Sequence, residues 1–558
     1  MKNKFLAFAV LITIFGFVLR IWQLSYVPPS LNWDEASLGY NAFSILKTGS
    51  DEYGITKFPL VLKSFGDYKP AFYVYLVALS EILFGVNEFA VRLPSAFFGS
   101  LAILFIYLVV RLLFSDFRGK EFVALSSSFI LATSPWHFQF SHSGWEANVL
   151  NTFLLLGIWF FLRAVKERPR NFYFSALVFG VCFYSYQGAK MLVPLILLGL
   201  TISFKNRLQK VSKKTLLISF LILLGFSAPI YSSLFMGGGG RLKVMSLFSY
   251  PRSESEAIQI AQEGDAAPTS LVYKVFHGPV NFYTRGFLGR FLNHFSGRFL
   301  FFEGDWSNPR HSVPSSGNLN LMAIILLPLG IFFVSSRKVK NQKLLWFFLF
   351  IGPLSATLTR DVVQATRSLF LVYPLSILSA FGAYFILETL KRRPNYFRWP
   401  FLIIIGVAWL FSFVYFLDQY FVHAPKVYSQ YWQYGYKEVV YYIKDKLDDY
   451  ERIVFTQKYG QPYIYFLFYS KYPPANFQDQ ADLIEDSWGD VGRIEKIDNL
   501  YFRDIYWPTD RSLKKTLFIG TPLELPKSDI VEGQARILKE ISFLDGTPAF
   551  LIVETLNE

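Results

Sequence analysis

Long apolar runs separated by short polar connections make up the first three quarters of the 558-residue chain. A helix needs about 20 apolar residues to cross the core of a bilayer, and fewer where neighbours bury its ends, so we count about eleven candidate spans. They cover residues 5–24, 89–114, 122–140, 147–164, 172–186, 191–204, 216–234, 319–334, 344–358, 369–390 and 401–417. This pattern predicts an α-helical polytopic membrane protein.

Composition supports this fold class and excludes others. Hydrophobic residues make up 53% of the chain and charged residues 17%, a balance typical of membrane proteins. The single cysteine, Cys182, lies inside an apolar run, which excludes an internal disulfide framework and a cysteine metal cluster. The net charge of +14 comes from basic residues between the runs, so it indicates membrane orientation and no nucleic-acid partner.

The basic residues also predict the topology. They cluster in short connections at residues 2–4, 111–120, 163–170, 205–214, 337–343 and 391–398, and such clusters stay on the cytoplasmic side. The amino end is then cytoplasmic and the carboxyl end extracytoplasmic, in an integral, multi-pass protein of the cytoplasmic (inner) membrane. This assignment requires the apolar stretch 70–85 to lie in the outer interface as a helix that does not cross.

The chain is predicted to have two domains. Residues 1–418 form the membrane domain, with a first outer loop at 25–88 and a middle outer loop at 235–318. Residues 419–558 form a small extracytoplasmic α/β domain, because a helical pattern at 437–447 is followed by strand-like runs at 452–455, 516–520 and 549–553. The pair Asp545-Gly546 before the last run indicates a hairpin turn.

The first polar stretch after the first run carries two adjacent carboxylates, Asp34 and Glu35, preceded by Trp33. Nothing in packing requires such a pair at a membrane boundary, and this is where an enzyme can meet a lipid-linked substrate. The structural alternative is that Asp34 caps a helix beginning near Glu35.

Further polar motifs fall at predicted outer boundaries. They are Gly66-Asp67-Tyr68-Lys69-Pro70, Val91-Arg92-Leu93-Pro94-Ser95, residues 134–141 leading to Trp145-Glu146-Ala147-Asn148, and residues 301–305 before Arg310-His311. In this order, together with the carboxylate pair, they resemble the protein O-mannosyltransferase and lipid A aminoarabinose transferase group. This group is the glycosyltransferase family 39-like branch of the GT-C membrane glycosyltransferases, and the likeness covers roughly the first 420 residues.

The resemblance implies a GT-C fold and an inverting transfer of a sugar from a polyprenyl-phosphate-linked donor to an acceptor hydroxyl outside the membrane. Asp34 matches the acid in the family's first loop, so we expect it to act as base or to position the acceptor, with Glu35 as its support. Lys69 matches the lysine that contacts the donor phosphate. Arg360 and Arg367, on the predicted outer side before the tenth span, would complement it.

Other residues are expected in the substrate cavity. Tyr68 stands where one branch of the family has an acidic metal ligand, and Asp67 is the candidate replacement. His142 and Glu146 are four residues apart, a spacing that places two residues on one face of a helix.

A last group of polar residues precedes the eighth span. The family has cavity-facing acidic and histidine residues near this position. It contains Glu303, Asp305 and His311. A divalent cation stays open as a cofactor, with Asp67, Glu146 and His311 as its candidate ligands.

The leading interpretation is therefore a polyprenyl-phosphate-dependent glycosyltransferase surrounded by membrane lipids. The alternative is a transporter or flippase of a lipid-linked sugar, although transporters usually hold their charged sites near the bilayer midplane. The sequence leaves open which sugar is moved and whether the acceptor is a protein, a lipid or a polysaccharide.

Overall fold

One or two helices lie at each of the eleven predicted spans in the computed structural model, which describes residues 2–235, 244–264, 267, 269–485 and 492–556. Seven of the helices in these ranges are long and apolar enough to cross a membrane. Shorter apolar helices lie at Phe72–Phe84, Asn171–Cys182 and Ala323–Ser336. The chain is thus a multi-pass helical membrane protein, as predicted.

The membrane domain contains eighteen described helices and one β-hairpin. The helices are α1 (Lys2–Ile21), α2 (Trp33–Thr48), α3 (Phe72–Phe84), α4 (Glu88–Leu113), α5 (Lys120–Ala132), α6 (Pro135–Ser141), α7 (Glu146–Lys166), α8 (Asn171–Cys182), α9 (Ala189–Leu208), α10 (Lys213–Phe235), α11 (Glu254–Glu263), α12 (Leu271–His277), α13 (Pro279–Asn293), α14 (Ala323–Ser336), α15 (Gln342–Ile351), α16 (Leu354–Thr357), α17 (Val372–Leu390) and α18 (Asn395–Asp418). The hairpin pairs β1 (Val61–Ser64) with β2 (Asp67–Pro70). Part of the predicted middle outer loop, residues 236–243, 265, 266 and 268, lies outside the described residues.

Two predicted spans are each two helices. The run 122–140 ends as α5 before Ser134, and α6 starts at Pro135 with the Ser134 side chain as its cap. Proline lacks the N–H that a continuing helix needs, but it fits the first turn of a new helix. The run 344–358 is likewise divided at Gly352-Pro353 into α15 and α16.

Helix α3 corresponds to the stretch predicted to lie at the outer interface. Its 13 residues span only about 20 Å at the rise of an α-helix, less than the thickness of a bilayer core. Helices α8 and α14 are comparably short and cover predicted spans, so the interfacial position of α3 and the sidedness of the loops stay predictions.

The C-terminal region is an α/β domain, as predicted. Its helices are α19 (Ala424–Val427), α20 (Tyr436–Ile443), α21 (Pro462–Ser470), α22 (Pro474–Gln480) and α23 (Trp507–Asp510), and its strands are β3 (Arg452–Phe455), β4 (Leu483–Glu485), β5 (Gly492–Ile494), β6 (Lys496–Ile497), β7 (Leu500–Phe502), β8 (Thr516–Gly520), β9 (Ala535–Ser542) and β10 (Pro548–Thr555). Six strands form one sheet in the order β6-β7-β3-β8-β10-β9. Strand β3 runs parallel to β7 and β8, and the predicted hairpin joins β9 to β10.

The first outer loop and the C-terminal domain share one hydrophobic core. Leu31 and Tyr40 of the loop are fully buried in the same cluster as Tyr436 and Tyr465 of the domain. The Tyr465 hydroxyl donates to the Leu31 carbonyl at 3.2 Å, and the Tyr40 hydroxyl donates to the carbonyl of residue 472 at 3.1 Å. Because the domain packs directly on α2, it helps to fix the position of the carboxylates at the start of that helix.

Candidate active site at the first outer loop

Asp34 lies in the first turn of α2 and is not its cap. The cap is Asn32, whose side chain accepts from the backbone N–H of Asp34 at 2.9 Å and of Glu35 at 3.1 Å. The alternative role for Asp34 as the helix cap is therefore wrong. Its side chain is 38% exposed and accepts an ion-paired hydrogen bond from Lys69 Nζ at 2.5 Å.

The β1–β2 hairpin brings Lys69 to this position. Its two turn residues, Phe65 and Gly66, both have positive φ, as a type I′ turn requires. Successive side chains of a strand point to opposite faces, so Asp67 and Lys69 share one face and Tyr68 points to the other. The Tyr68 ring is 52% exposed and does not line the site, which corrects its predicted place in the cavity.

Glu35 does not face the cavity either. Its carboxylate is 1% exposed and pairs with the fully buried Arg92, from Nε to Oε1 at 2.9 Å and from a terminal nitrogen to Oε2 at 3.2 Å. Oε1 also accepts from the Gly144 N–H at 2.7 Å, and Oε2 accepts from the Asn32 N–H at 3.1 Å. Glu35 therefore holds the start of α2 in place and contacts no substrate space, so it supports Asp34 through structure alone.

The two predicted arginines come from the segment before α17. Arg367 donates to Asp361 Oδ2 at 2.9 Å and to Thr359 Oγ1 at 3.0 Å. Arg360 donates to the Tyr250 hydroxyl at 2.8 Å. Both guanidinium groups are thus held by polar partners from outside the first loop.

His311 is oriented by the buried Asp305. Its Nδ1 lies 3.2 Å from Asp305 Oδ2, and its Nε2 lies 3.2 Å from Thr366 Oγ1. Asp305 also accepts from the Ala365 N–H at 2.8 Å, which ties this pair to the segment before α17. Asp305 therefore positions His311 from behind and does not itself line the cavity.

Two other predicted cavity residues lie elsewhere. His142 ends α6, whereas Glu146 begins α7, so the two do not share one helix face. The buried His142 ring contacts the Trp22 carbonyl at 2.7 Å and the Tyr420 hydroxyl at 3.0 Å. Glu303 is half exposed and pairs with Arg298 at 2.6 Å.

One cavity of about 530 Å³ joins the remaining predicted residues. Its lining includes Asp34, Asp67, Lys69, Glu146, His311, Arg360 and Arg367. They come from the first loop, the start of α7 and the segments before α14 and α17, which lie far apart in the sequence. The fold thus brings together seven of the twelve residues predicted for the site.

Sequence reasoning missed the contribution of the C-terminal domain to this cavity. Gly460 and Gln461 of the domain line it, and the Trp33 ring packs against Gly460, where an added Cβ would lie 2.6 Å from the ring. The Arg310 guanidinium lies 4.6 Å from the centre of the same ring. No signal in the sequence indicates this contact, since the tail carries no family motif.

The candidate metal ligands Asp67, Glu146 and His311 line the same cavity, but they do not form a metal site. Among the described residues, no three His, Cys, Asp or Glu side chains come together in a way that could hold a metal ion. These three residues therefore do not supply a complete ligand set for a divalent cation.

Comparison with known proteins agrees with the motifs. The family model for dolichyl-phosphate-mannose-protein mannosyltransferase matches residues 68–231. Comparison with curated protein sequences finds no match.

Solved structures resemble the chain in fold. ArnT from Cupriavidus metallidurans bound to undecaprenyl phosphate aligns with a TM-score of 0.53 and 12% identity, over 97% of each chain. The Archaeoglobus fulgidus oligosaccharyltransferase tethered with an acceptor peptide aligns with a TM-score of 0.51 and 12% identity, over 84% of this chain and 63% of that one. The same archaeal enzyme, AglB, in complex with an inhibitory peptide and a dolichol-phosphate gives a TM-score of 0.52 and 13% identity, over 84% of this chain and 64% of that one.

The chain thus spans under two thirds of the oligosaccharyltransferase and nearly all of ArnT. At these identities the likeness shows the fold. The chain therefore has the fold seen in ArnT and in the archaeal oligosaccharyltransferase, and its residues 68–231 resemble the dolichyl-phosphate-mannose-protein mannosyltransferase family.

Proposed function

We propose that this protein transfers a sugar, with inversion, from a polyprenyl-phosphate-linked donor to an acceptor hydroxyl on the outer face of the cytoplasmic membrane. The observation that carries the proposal is the single cavity in which Asp34, Lys69 and Arg367 meet. A carboxylate and two cations are the groups that such a transfer requires, one to accept a proton and the others to hold a departing phosphate.

The cavity is electrically balanced before any substrate enters. Its lining contains four cations, Lys69, Arg310, Arg360 and Arg367, and four carboxylates, Asp34, Asp67, Glu146 and Asp361. Lys69 is paired with Asp34, and Arg367 is paired with Asp361. A carrier phosphate brings negative charge of its own, so it competes with these carboxylates for the cations.

This competition links donor binding to the chemical step. When the phosphate accepts hydrogen bonds from Lys69, the Asp34 carboxylate can instead accept the proton of the acceptor hydroxyl. The acceptor oxygen then attacks the anomeric carbon from the face opposite the phosphate. The bond between that carbon and the phosphate oxygen breaks, its electron pair leaves with the carrier phosphate, and the proton stays on Asp34.

The named ligands of the structural neighbours support the class of donor. ArnT was solved with undecaprenyl phosphate, and the archaeal oligosaccharyltransferase with a dolichol-phosphate. Both ligands are phosphates on long isoprenoid chains, and a similar fold here is suited to the same chemical class.

The proposal is tested by incubating the purified full chain with radiolabelled polyprenyl-phosphate sugars and membrane extract. We expect label to enter an acceptor fraction with the wild type and not with Asp34→Asn. Lys69→Ala should raise the donor KM by about tenfold or more, the size expected for losing one hydrogen bond to a charged group. Lys57→Ala, which changes an exposed lysine of the same loop, should leave it unchanged.

A flippase would move the intact lipid-linked sugar and leave all label on the carrier. That result, or full transfer by Asp34→Asn, would contradict the proposal.

A further inference from the structure

A second and larger cavity adjoins the candidate active site. It measures about 810 Å³ and lies between the segment at residues 247–252, helix α13 and the segment before α17. Ser307, Arg360 and Asp361 line both cavities. The two cavities are therefore neighbours, and Arg360 and Asp361 lie on the walls of both.

The second cavity is basic, unlike the first. Among the described residues, its lining contains four arginines, Arg252, Arg285, Arg290 and Arg360, and one carboxylate, Asp361. Asp361 pairs with Arg367 of the first cavity. One further carboxylate, from Glu256, pairs with Arg252 at 3.2 Å. The positive charge of the lining therefore exceeds its negative charge.

Two of these arginines, Arg285 and Arg290, form no ion pair with a carboxylate in the part of the chain that the structure describes. Arg290 donates to the main-chain carbonyls of Gly286 and Arg360, each at 3.1 Å. Arg285 is exposed and makes no side-chain hydrogen bond or ion pair within the described ranges. Guanidinium groups bind phosphate and carboxylate groups with two parallel hydrogen bonds. Guanidinium groups that no carboxylate neutralises, such as those of Arg285 and Arg290, can therefore bind an anion.

Aromatic rings lie between the arginines. Tyr250, Phe276 and Phe282 all line the cavity, and the Arg252 guanidinium lies 5.0 Å from the centre of the Phe282 ring. Flat apolar faces beside charged donors suit a ligand that has both a ring and an anionic group. A sugar that carries phosphate or carboxylate has this combination.

The volume of the second cavity indicates that its ligand is larger than the phosphate group of the donor. Cavities of about 300–1,000 Å³ hold ligands of many atoms, so 810 Å³ exceeds the needs of one phosphate. A second phosphate on the carrier would be bonded to the first and would lie beside Lys69 and Arg367 in the other cavity. The arginines of α13 are thus left for the other substrate.

We propose that this basic cavity is the acceptor subsite, and that the acceptor is an acidic carbohydrate whose sugars bear phosphate or carboxylate groups. The assignment rests on the proposed function, since it is the transfer reaction that makes the second ligand an acceptor. It narrows the acceptor from protein, lipid or polysaccharide to a chain of anionic sugars.

The test uses glucose 6-phosphate, glucose and inorganic phosphate as probes of the purified full chain, with binding followed by saturation-transfer NMR. We expect glucose 6-phosphate to bind about tenfold more tightly than glucose and to be displaced by inorganic phosphate. Arg285→Gln should weaken glucose 6-phosphate binding by about tenfold and leave glucose binding unchanged. Arg511→Gln is the matched control, because Arg511 is also exposed and also lacks a side-chain partner in the described part of the C-terminal domain.

A parallel titration with undecaprenyl phosphate separates this inference from the proposed function. Lys69→Ala should weaken undecaprenyl phosphate binding and leave glucose 6-phosphate binding intact, and Arg285→Gln should do the reverse. Equal binding of glucose 6-phosphate by the wild type and Arg285→Gln would overturn the subsite. So would a loss of undecaprenyl phosphate binding in Arg285→Gln, because the cavity would then hold the carrier.

Discussion

Replacing Glu35 with Gln removes one charge from an ion pair that is closed to solvent on both sides. Arg92 is fully buried and the Glu35 side chain is 1% exposed. Oε1 accepts from two donors, Arg92 and the Gly144 N–H, and Oε2 accepts from three, Arg92, the Asn32 N–H and the Asn32 side-chain amide. Gln has one accepting oxygen, so its amide nitrogen must face at least two donors wherever it points.

The magnitude follows from this geometry. Breaking a buried ion pair by removing one partner costs about 3–5 kcal/mol, because the remaining charge is left uncompensated. The neighbouring Asp34 is 38% exposed and makes a boundary ion pair with Lys69. Such pairs contribute about 0–1 kcal/mol. Two adjacent carboxylates in one helical turn should therefore differ by several kcal/mol in what they contribute to stability.

The assay is the free energy of unfolding of each purified variant, measured by titration with SDS and followed by tryptophan fluorescence. Glu35→Gln should lose about 3–5 kcal/mol and Asp34→Asn about 1 kcal/mol or less. Transfer activity per folded molecule should show the opposite order: Glu35→Gln should stay active, and Asp34→Asn should be inactive. A Glu35→Gln variant as stable as the wild type would refute the assignment of Glu35 to structure, as would equal losses in the two variants.

Two further predictions concern the loop and the domain packed on it. Burial, with a smaller contribution from Asp51, raises the pKa of Glu52 to about 8, so the folded chain keeps a proton that the unfolded chain releases above its ordinary pKa of 4.5. The free energy of unfolding should therefore fall by about 1.4 kcal/mol for each pH unit between these two values. SDS titrations at about pH 5.5 and about pH 7.5 measure this fall in the wild type, and Glu52→Gln should not show it. Gly460→Ala should destabilise the domain contact more than Gly546→Ala, because both positions have positive φ but only the first would place a Cβ against the Trp33 ring. Limited proteolysis of the C-terminal domain measures this difference, and equal cleavage of the two variants would count against the packing of Trp33.

The features predicted from the sequence are those that a short stretch of chain determines. Apolar length locates the seven described helices that are long and apolar enough to cross a membrane, because a helix satisfies its own backbone inside lipid. The breaks at Ser134-Pro135 and Gly352-Pro353 were not predicted, because Pro94, Pro194, Pro229 and Pro328 also lie in apolar runs and are inside continuous helices. The expectation that Tyr68 lines the cavity was wrong, because alternate residues of β2 change face and Tyr68 lies on the face opposite Asp67 and Lys69.

Features that depend on distant partners were not predicted. Glu35 looks like Asp34 in the sequence, and only Arg92, 57 residues away, makes it a buried structural group. Asp305 and His142 were expected in the cavity because of their chemistry, but each is used to hold a neighbouring element. The cavity wall formed by Gly460 and Gln461 depends on how a whole domain packs on α2.

The account depends on Asp34 lying in an outward-facing cavity that also receives the carrier phosphate. Asp34→Cys tests this directly, because the native Cys182 is buried and should contribute little background labelling. We predict that a membrane-impermeant maleimide labels this variant in intact cells, and that undecaprenyl phosphate slows the labelling of the purified protein. Labelling that appears only after the cytoplasm is opened, or a rate that undecaprenyl phosphate does not change, would contradict the account.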